Sequence, residues 1–252
     1  MCVNPFSILV ICVVGLAVVD SASLIMRWYM KIFSRLGLSC SLFCSLFRVF
    51  YQLLGGAWKV SRLPKPMVSI FGGARLREDD HYFSKAQTLA GRLADAGISV
   101  LTGGGPGVME AASCGAYHSQ LGKGQSIGIS VRDLGEGRNP CTHHYLELDY
   151  FFARKWLLTR YSSAFVVFPG GYGTLDELAE VLTLIQTKKL GPAPIVLVGK
   201  EYWGPFIDWL CGETFKHGLI SQDAMEMFTV TDDLDHAFRI VENECRRCLE
   251  RE

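Results

Sequence analysis

Downstream of Pro64 and Pro66 the apolar positions fall into short unbroken runs separated by longer segments of helical period. Met67 to Phe71 is uncharged and apolar but for Ser69, ends in Gly72-Gly73, and predicts a buried strand. A helix is expected over Asp79 to Ala96, and a second strand over Ile98 to Thr102, which runs into Gly103-Gly104-Gly105. A helix from about Gly107 to Leu121 follows, then strand-like Ser126 to Val131, a loop rich in Gly, Asn and Pro, and a helix around Phe151 to Tyr161. Ala164 to Val167 reads as the next strand, after which Leu178, Val181, Leu182 and Ile185 recur at helical spacing. Pro194 to Val198 and helical stretches from about Tyr202 and Leu234 complete the pattern. Strands alternating with helices need crossover connections. Residues 63–252 therefore predict an α/β fold, a Rossmann-like doubly wound parallel sheet with helices on both faces.

Residues 1–62 follow a different pattern, a hydrophobic and basic extension. From Pro5 to Met26 the only charge is Asp20, over 22 residues, enough to cross a bilayer. A signal peptide is the other reading of this run. Against it, no base precedes the run, and Arg27, Lys31 and Arg35 lie on its C-terminal side, which by the positive-inside tendency faces the cytoplasm. Ser41, Ser45, Arg48 and Gln52 then lie opposite Leu42, Phe43, Leu46, Phe47, Phe50 and Leu54, as in an amphipathic interfacial helix. Two expectations stand: a cytoplasmic domain tethered to the inner face of the membrane through residues 1–62, or a soluble protein whose extension reflects the choice among Met1, Met26, Met30 and Met67 as start.

Composition adds that 252 residues, 49% of them hydrophobic, suffice for a full core. The formal net charge is zero but unevenly spread: residues 1–66 carry seven Lys or Arg and only Asp20, so the remainder is acidic by about six charges. That argues against nucleic acid as a partner. The nine cysteines are scattered and odd in number, which fits a reducing compartment, and Cys245 and Cys248 read as ordinary helix thiols with no second pair to complete a metal site.

In a doubly wound sheet the ligand crevice lies beyond the carboxyl ends of the strands. Glycine turns stand there three times: Gly72-Gly73, Gly103-Gly104-Gly105 and Gly170-Gly171-Tyr172-Gly173. Any one alone reads as a tight turn, but three on one edge, two of them opening helices, favour a bound phosphate. No G-x-G-x-x-G opens the first helix and no G-x-x-x-x-G-K-[ST] occurs, so a monophosphate is expected at Gly72, Gly73, Gly104, Gly105, Gly170, Gly171, Gly173 and Thr174. With the helix starting near Thr174, Glu177 is either half of a capping box with Thr174 or a free carboxylate with its own task, and Glu180 lies on a similar face. Arg154 and Lys155 sit in an apolar and aromatic run, about 100° apart on a helix, so at most one faces the site directly. The histidines lack ligand spacing, and no G-x-S-x-G elbow is present.

The run Pro169 to Glu177 (P-G-G-Y-G-T-L-D-E), the upstream Arg154-Lys155 and the G-G-G-P-G-V-M-E-A-A run at 103–112 together closely resemble the LOG (Lonely Guy) family over about residues 67 to 240. The resemblance implies a phosphoribohydrolase acting on cytokinin riboside 5'-monophosphates or AMP without metal or cofactor, and a homodimer or higher homo-oligomer. It implies catalytic roles for Arg154 and Glu177 and a P-G-G-x-G-T backbone that holds the phosphate; beside them Lys155 is a substrate-binding candidate, and Glu180 is either a second carboxylate of the site or a solvated helix residue. Ser113 stands where bacterial members tend to carry Asn, and Arg132 to Arg138 replaces a Glu-Gln-containing segment; both departures bear on base preference. The alternative is a non-catalytic nucleotide- or cofactor-binding protein on the same fold.

Overall fold

The computed structural model describes residues 42–135 and 137–251, which divide between two compact units, Met1–Tyr51 and Gln52–Glu252. The expected membrane-crossing run at residues 5–26 lies outside the described residues. Of the first unit, residues 42–51 are helical.

The second unit opens with a helix over residues 52–61 (α1) and continues β1 (Met67–Phe71), α2 (His81–Asp95), β2 (Ser99–Thr102), α3 (Val108–Tyr117), β3 (Ser126–Val131), β4 (His144–Leu148), α4 (Phe151–Arg160) and β5 (Ala164–Val167). It ends with α5 (Tyr172–Gln186), β6 (Ile195–Val198), α6 (Lys200–Trp209) and its π-helical extension Leu210–Phe215, α7 (Gln222–Met225), β7 (Phe228–Thr231) and α8 (Leu234–Arg251). The seven strands form one sheet in the order β4-β3-β2-β1-β5-β6-β7, and every neighbouring pair is parallel. This is the doubly wound fold expected, and its strand order reverses between β1 and β5.

Alternation along the strands divides the core in two. Val68 and Ile70 of β1, Val166 of β5, and Val196 and Val198 of β6 pack under α2, α3 and α8. Met67, Phe71, Phe165, Val167, Ile195 and Leu197 point the other way, into a layer made with α1, α4, α5 and α6. The compact unit begins at Gln52, ahead of the proline junction, because α1 belongs to this second layer. Val60 is fully buried, and Gly56 lies so close to Leu157 of α4 that an added Cβ would fall 2.8 Å from Leu157 Cδ1. Gln52 also donates to Asp149 Oδ2 and accepts from the Asp149 amide.

Two strands go beyond the expected set, β4 and β7, and both are edges of the sheet. An edge strand is less enclosed than an inner one, so His144-Tyr145-Leu146-Glu147-Leu148 and Phe228-Thr229-Val230-Thr231 lack the uncharged, fully buried run that marks the five inner strands.

Candidate active site

The reversal of strand order leaves the loops after β1 and β5 side by side, and backbone hydrogen bonds join them. Gly73 N–H donates to Pro169 O at 2.9 Å, while Gly73 O accepts from Val108 N at 3.1 Å, so the first turn of α3 is joined to the same point. Such proximity needs small residues. A Cβ on Gly72 would fall 2.5 Å from Val108 Cγ1, and one on Gly107, whose φ of +70° already favours glycine, would collide with Gly73 O. Gly170 is equally enclosed, by Thr174 Oγ1 and Gly73 N, and its carbonyl accepts from the Tyr202 hydroxyl.

Above these loops opens a cavity of about 370 Å³, of a size for a small ligand. Gly72 and Gly73 form one wall, Gly171, Gly173 and Thr174 another, and Arg154, Lys155, Asp176 and Glu177 bring the charge. In contrast to Gly170, a Cβ on Gly171 or Gly173 would meet nothing within 4 Å. The backbone there is bare toward open space at the N-terminus of α5, where N–H groups and the helix dipole favour an anion.

Helix α5 starts at Tyr172 with Gly171 as its cap, and no side chain caps it. Thr174 is thus inside the first turn and buried, and the Thr174-to-Glu177 capping box does not form. Glu177 instead reaches across to α4, where its Oε1 accepts from Arg154 Nη2 at 3.0 Å. Both side chains are nearly enclosed, at 14% and 10% exposure. Burial pushes the Glu177 carboxyl up to about 7, against the opposing pull of the Arg154 guanidinium. Gly103 makes room for this pair, since a Cβ there would run into Arg154 Nη2.

Lys155 lies one residue on and turns to a different pair of carboxylates. Its Nζ sits 3.0 Å from Asp176 Oδ2 and 3.0 Å from Glu180 Oε2. Burial works against its charge, but these two hydrogen bonds prevail and raise its pKa.

The structure thus brings together Gly72, Gly73, Arg154, Lys155, Gly171, Gly173, Thr174 and Glu177 around one cavity. Gly170 and Glu180 stand one step behind it, the former shaping the turn and the latter holding Lys155. Gly104 and Gly105 are turned away: their carbonyls accept from the Asn139 backbone N–H and side-chain amide, and Gly104 packs on Tyr145. Ser113 joins this second network, hydrogen-bonded to Thr102 at 3.0 Å, and is absent from the cavity wall. A disulfide, Cys114–Cys141, ties α3 to the same loop, and the scattered cysteine spacing gave no reason to expect it. Cys245 and Cys248 are free thiols on α8, as read. Sequence reasoning missed Arg75, Met109, Leu134, Phe151 and Tyr172, which also line the cavity. All but Leu134 lie within a few residues of a recognised turn or of Arg154, which was the available signal.

A family model described as possible lysine decarboxylase matches residues 109–241. The cytokinin riboside 5'-monophosphate phosphoribohydrolase of Mycobacterium tuberculosis is 33% identical over 162 residues, covering 61% of this chain and 82% of that enzyme. The rice enzyme of the same name is 29% identical, and the match spans 64% of its length and 62% of this chain. The pyrimidine/purine nucleotide 5'-monophosphate nucleosidase of Escherichia coli is 28% identical over 54% of this chain, but only 31% of that longer protein is covered. Among solved structures, the molybdenum cofactor carrier protein of Chlamydomonas reinhardtii superposes with a TM-score of 0.52 at 23% identity over 71% of this chain and 98% of its own, a likeness of fold.

Proposed function

The chain belongs to the family described as possible lysine decarboxylase, the LOG family, and from that premise we propose that it is a phosphoribohydrolase of nucleoside 5'-monophosphates. Its general class is that of its relatives, nucleotide hydrolases. The finer reading, cleavage of AMP or of a cytokinin riboside 5'-monophosphate to free base and ribose 5-phosphate, rests on one observation above the others. That observation is the enclosed Glu177–Arg154 pair beside a bare glycine turn.

In this reading the phosphate sits on the backbone of Gly171 to Thr174 and supplies remote binding energy that positions the ribose. Water adds to C1' of the ribose as the C1'–N bond breaks, the bonding pair leaves with the base, and the transition state has oxocarbenium character. Glu177 faces that positive charge and takes the water's proton, which is finally carried by the departing base. A carboxyl at about 7 is suited to this, because it is partly ionised at neutral pH and a strong enough base to accept a proton. Arg154 holds the carboxylate in place and keeps part of it ionised. Lysine decarboxylation through pyridoxal phosphate does not fit these residues. Lys155, the lysine of the cavity wall, is held as an ammonium by Asp176 and Glu180, whereas a Schiff base needs a neutral amine.

We extend the proposal to a homo-oligomer in which a second copy covers the outer face of α4. Phe152 and Trp156 are each at least 42% exposed there, on the helix that carries Arg154. The test is incubation of the full chain with AMP, a prenylated adenosine monophosphate and a panel of pyrimidine monophosphates, with assay for free base. Release of base from any of them is the expected result. Saturable binding of the nucleotides with no base released would replace the hydrolase by a non-catalytic carrier on the same fold.

A further inference from the structure

The helical residues 42–61 present a surface that the hydrolase reading does not use. Leu42, Phe43, Leu46, Phe47, Phe50 and Tyr51 in the first unit are each more than half exposed, as are Leu54 and Trp58 in the second. In the first unit Phe43, Phe47 and Phe50 follow one another at intervals of four and three, and in the second Leu54 and Trp58 are four apart, the spacing that lines residues up along one side of each helical segment. The opposite positions of α1, Gln52, Gly56 and Val60, are those engaged with the domain. Eight exposed apolar residues, five of them aromatic, mark an interaction surface.

Charge says what kind of surface it meets. No Asp or Glu occurs from residue 21 to residue 77, while the same stretch carries the exposed bases Arg48, Lys59 and Arg62, and Arg62, just past the helix, stacks on Trp58 with its guanidinium carbon 3.7 Å from the ring centroid. Aromatic rings with one polar end, such as Tyr51 and Trp58, suit the boundary between headgroups and acyl chains. Apolar side chains exposed on one side with bases beside them are the pattern of a helix that lies in the interface, and among the described residues no helix is long and apolar enough to cross a membrane. We propose that residues 42–62 supply an interfacial anchor for a negatively charged lipid surface, with the exposed aromatic and leucine side chains of each helical segment among the acyl chains and the three bases at the headgroups.

The experiment is co-sedimentation of the full chain with vesicles of phosphatidylcholine alone and of phosphatidylcholine mixed with phosphatidylserine, at low and high salt. Two variants accompany it, Phe43→Ser/Phe47→Ser/Phe50→Ser and Arg48→Glu/Lys59→Glu/Arg62→Glu, each checked for an unchanged unfolding midpoint and unchanged base release. The wild type should favour the acidic vesicles and lose binding in high salt. Each variant should bind acidic vesicles at least about tenfold more weakly, three bases being enough for this near an anionic surface. Equal binding to both vesicle types would overturn the proposal. So would variants that sediment like the wild type, because the apolar run at residues 5–26, with Asp20 as its only charge, would then be what binds. Failure to bind vesicles, together with self-association that the aromatic variant abolishes, would assign these exposed side chains to a second copy instead.

Discussion

A carboxyl beside a guanidinium ordinarily ionises more easily than usual, yet at Glu177 the loss of water outweighs the partner and the pKa rises to about 7. The consequence for stability has a definite sign. The folded protein holds the proton more tightly than the unfolded chain, so the contribution of Glu177 is fully present below about pH 4.5 and is lost as pH rises through about 7. The shift corresponds to roughly 3 kcal/mol at most. A Glu177→Gln variant should therefore gain on the wild type as pH is raised from 5 to 8 in denaturant titrations; a constant difference across that range would place the carboxyl in water. The same variant should lose at least about a hundredfold in turnover, because no proton acceptor is left. Arg154 pulls the Glu177 pKa down, so Arg154→Ala should move the acid limb of the pH–rate profile to higher pH as well as lower its plateau. A lower plateau with an unmoved limb would confine Arg154 to substrate contacts.

At the scale of elements, the N-terminal turn of α5 offers a test that separates folding from binding. Nothing within 4 Å opposes a Cβ on Gly173, and it lies inside the helix, so Gly173→Ala should stabilise the protein by up to about 1 kcal/mol through helix propensity. If phosphate rests on this backbone, the same change should raise KM about tenfold or more, and an unaltered KM would remove the phosphate from the turn. Gly72→Ala is the contrasting case, since its Cβ meets Val108 and forces β1 and α3 apart, with an expected loss of about 1–3 kcal/mol in urea unfolding. The inner strands were legible because burial on both faces leaves short, uncharged and mostly apolar runs, as in Met67 to Phe71 and Ile195 to Val198. Edge strands β4 and β7 were not, because that demand is absent at an edge. In the site, residues adjoining strand ends could be placed from sequence, but the direction of a turn could not. Gly104 and Gly105 follow a strand as Gly72 and Gly73 do, yet their carbonyls are taken by Asn139, a partner 34 residues from Gly105. Glu177 was open between cap and site for the same reason. A one-turn-earlier helix start and the guanidinium on α4 decide it, and both are tertiary facts.

For the whole molecule the question is what completes the cavity. Its inner wall is built on strand ends and two helices, whereas Tyr172 on its rim is 94% exposed and Phe151 is 54% exposed. A transition state with developing positive charge gains most from a carboxylate when water is excluded, and an open rim does not exclude it. Helix α4 links the two needs, since Arg154 faces inward while Phe152 and Trp156, four residues apart, share its outer side. If a second copy packs on that side, assembly and catalysis are coupled through one helix. Sedimentation velocity should then show a dimer or larger species, and Phe152→Asp/Trp156→Asp should shift it to monomer. Neither of these two residues lines the cavity, so a monomer with unchanged turnover would show that each copy works alone. The coupled arrangement instead predicts turnover about tenfold or more below the wild type in the dissociated variant, partly restored as protein concentration is raised, because mass action then repopulates the assembly.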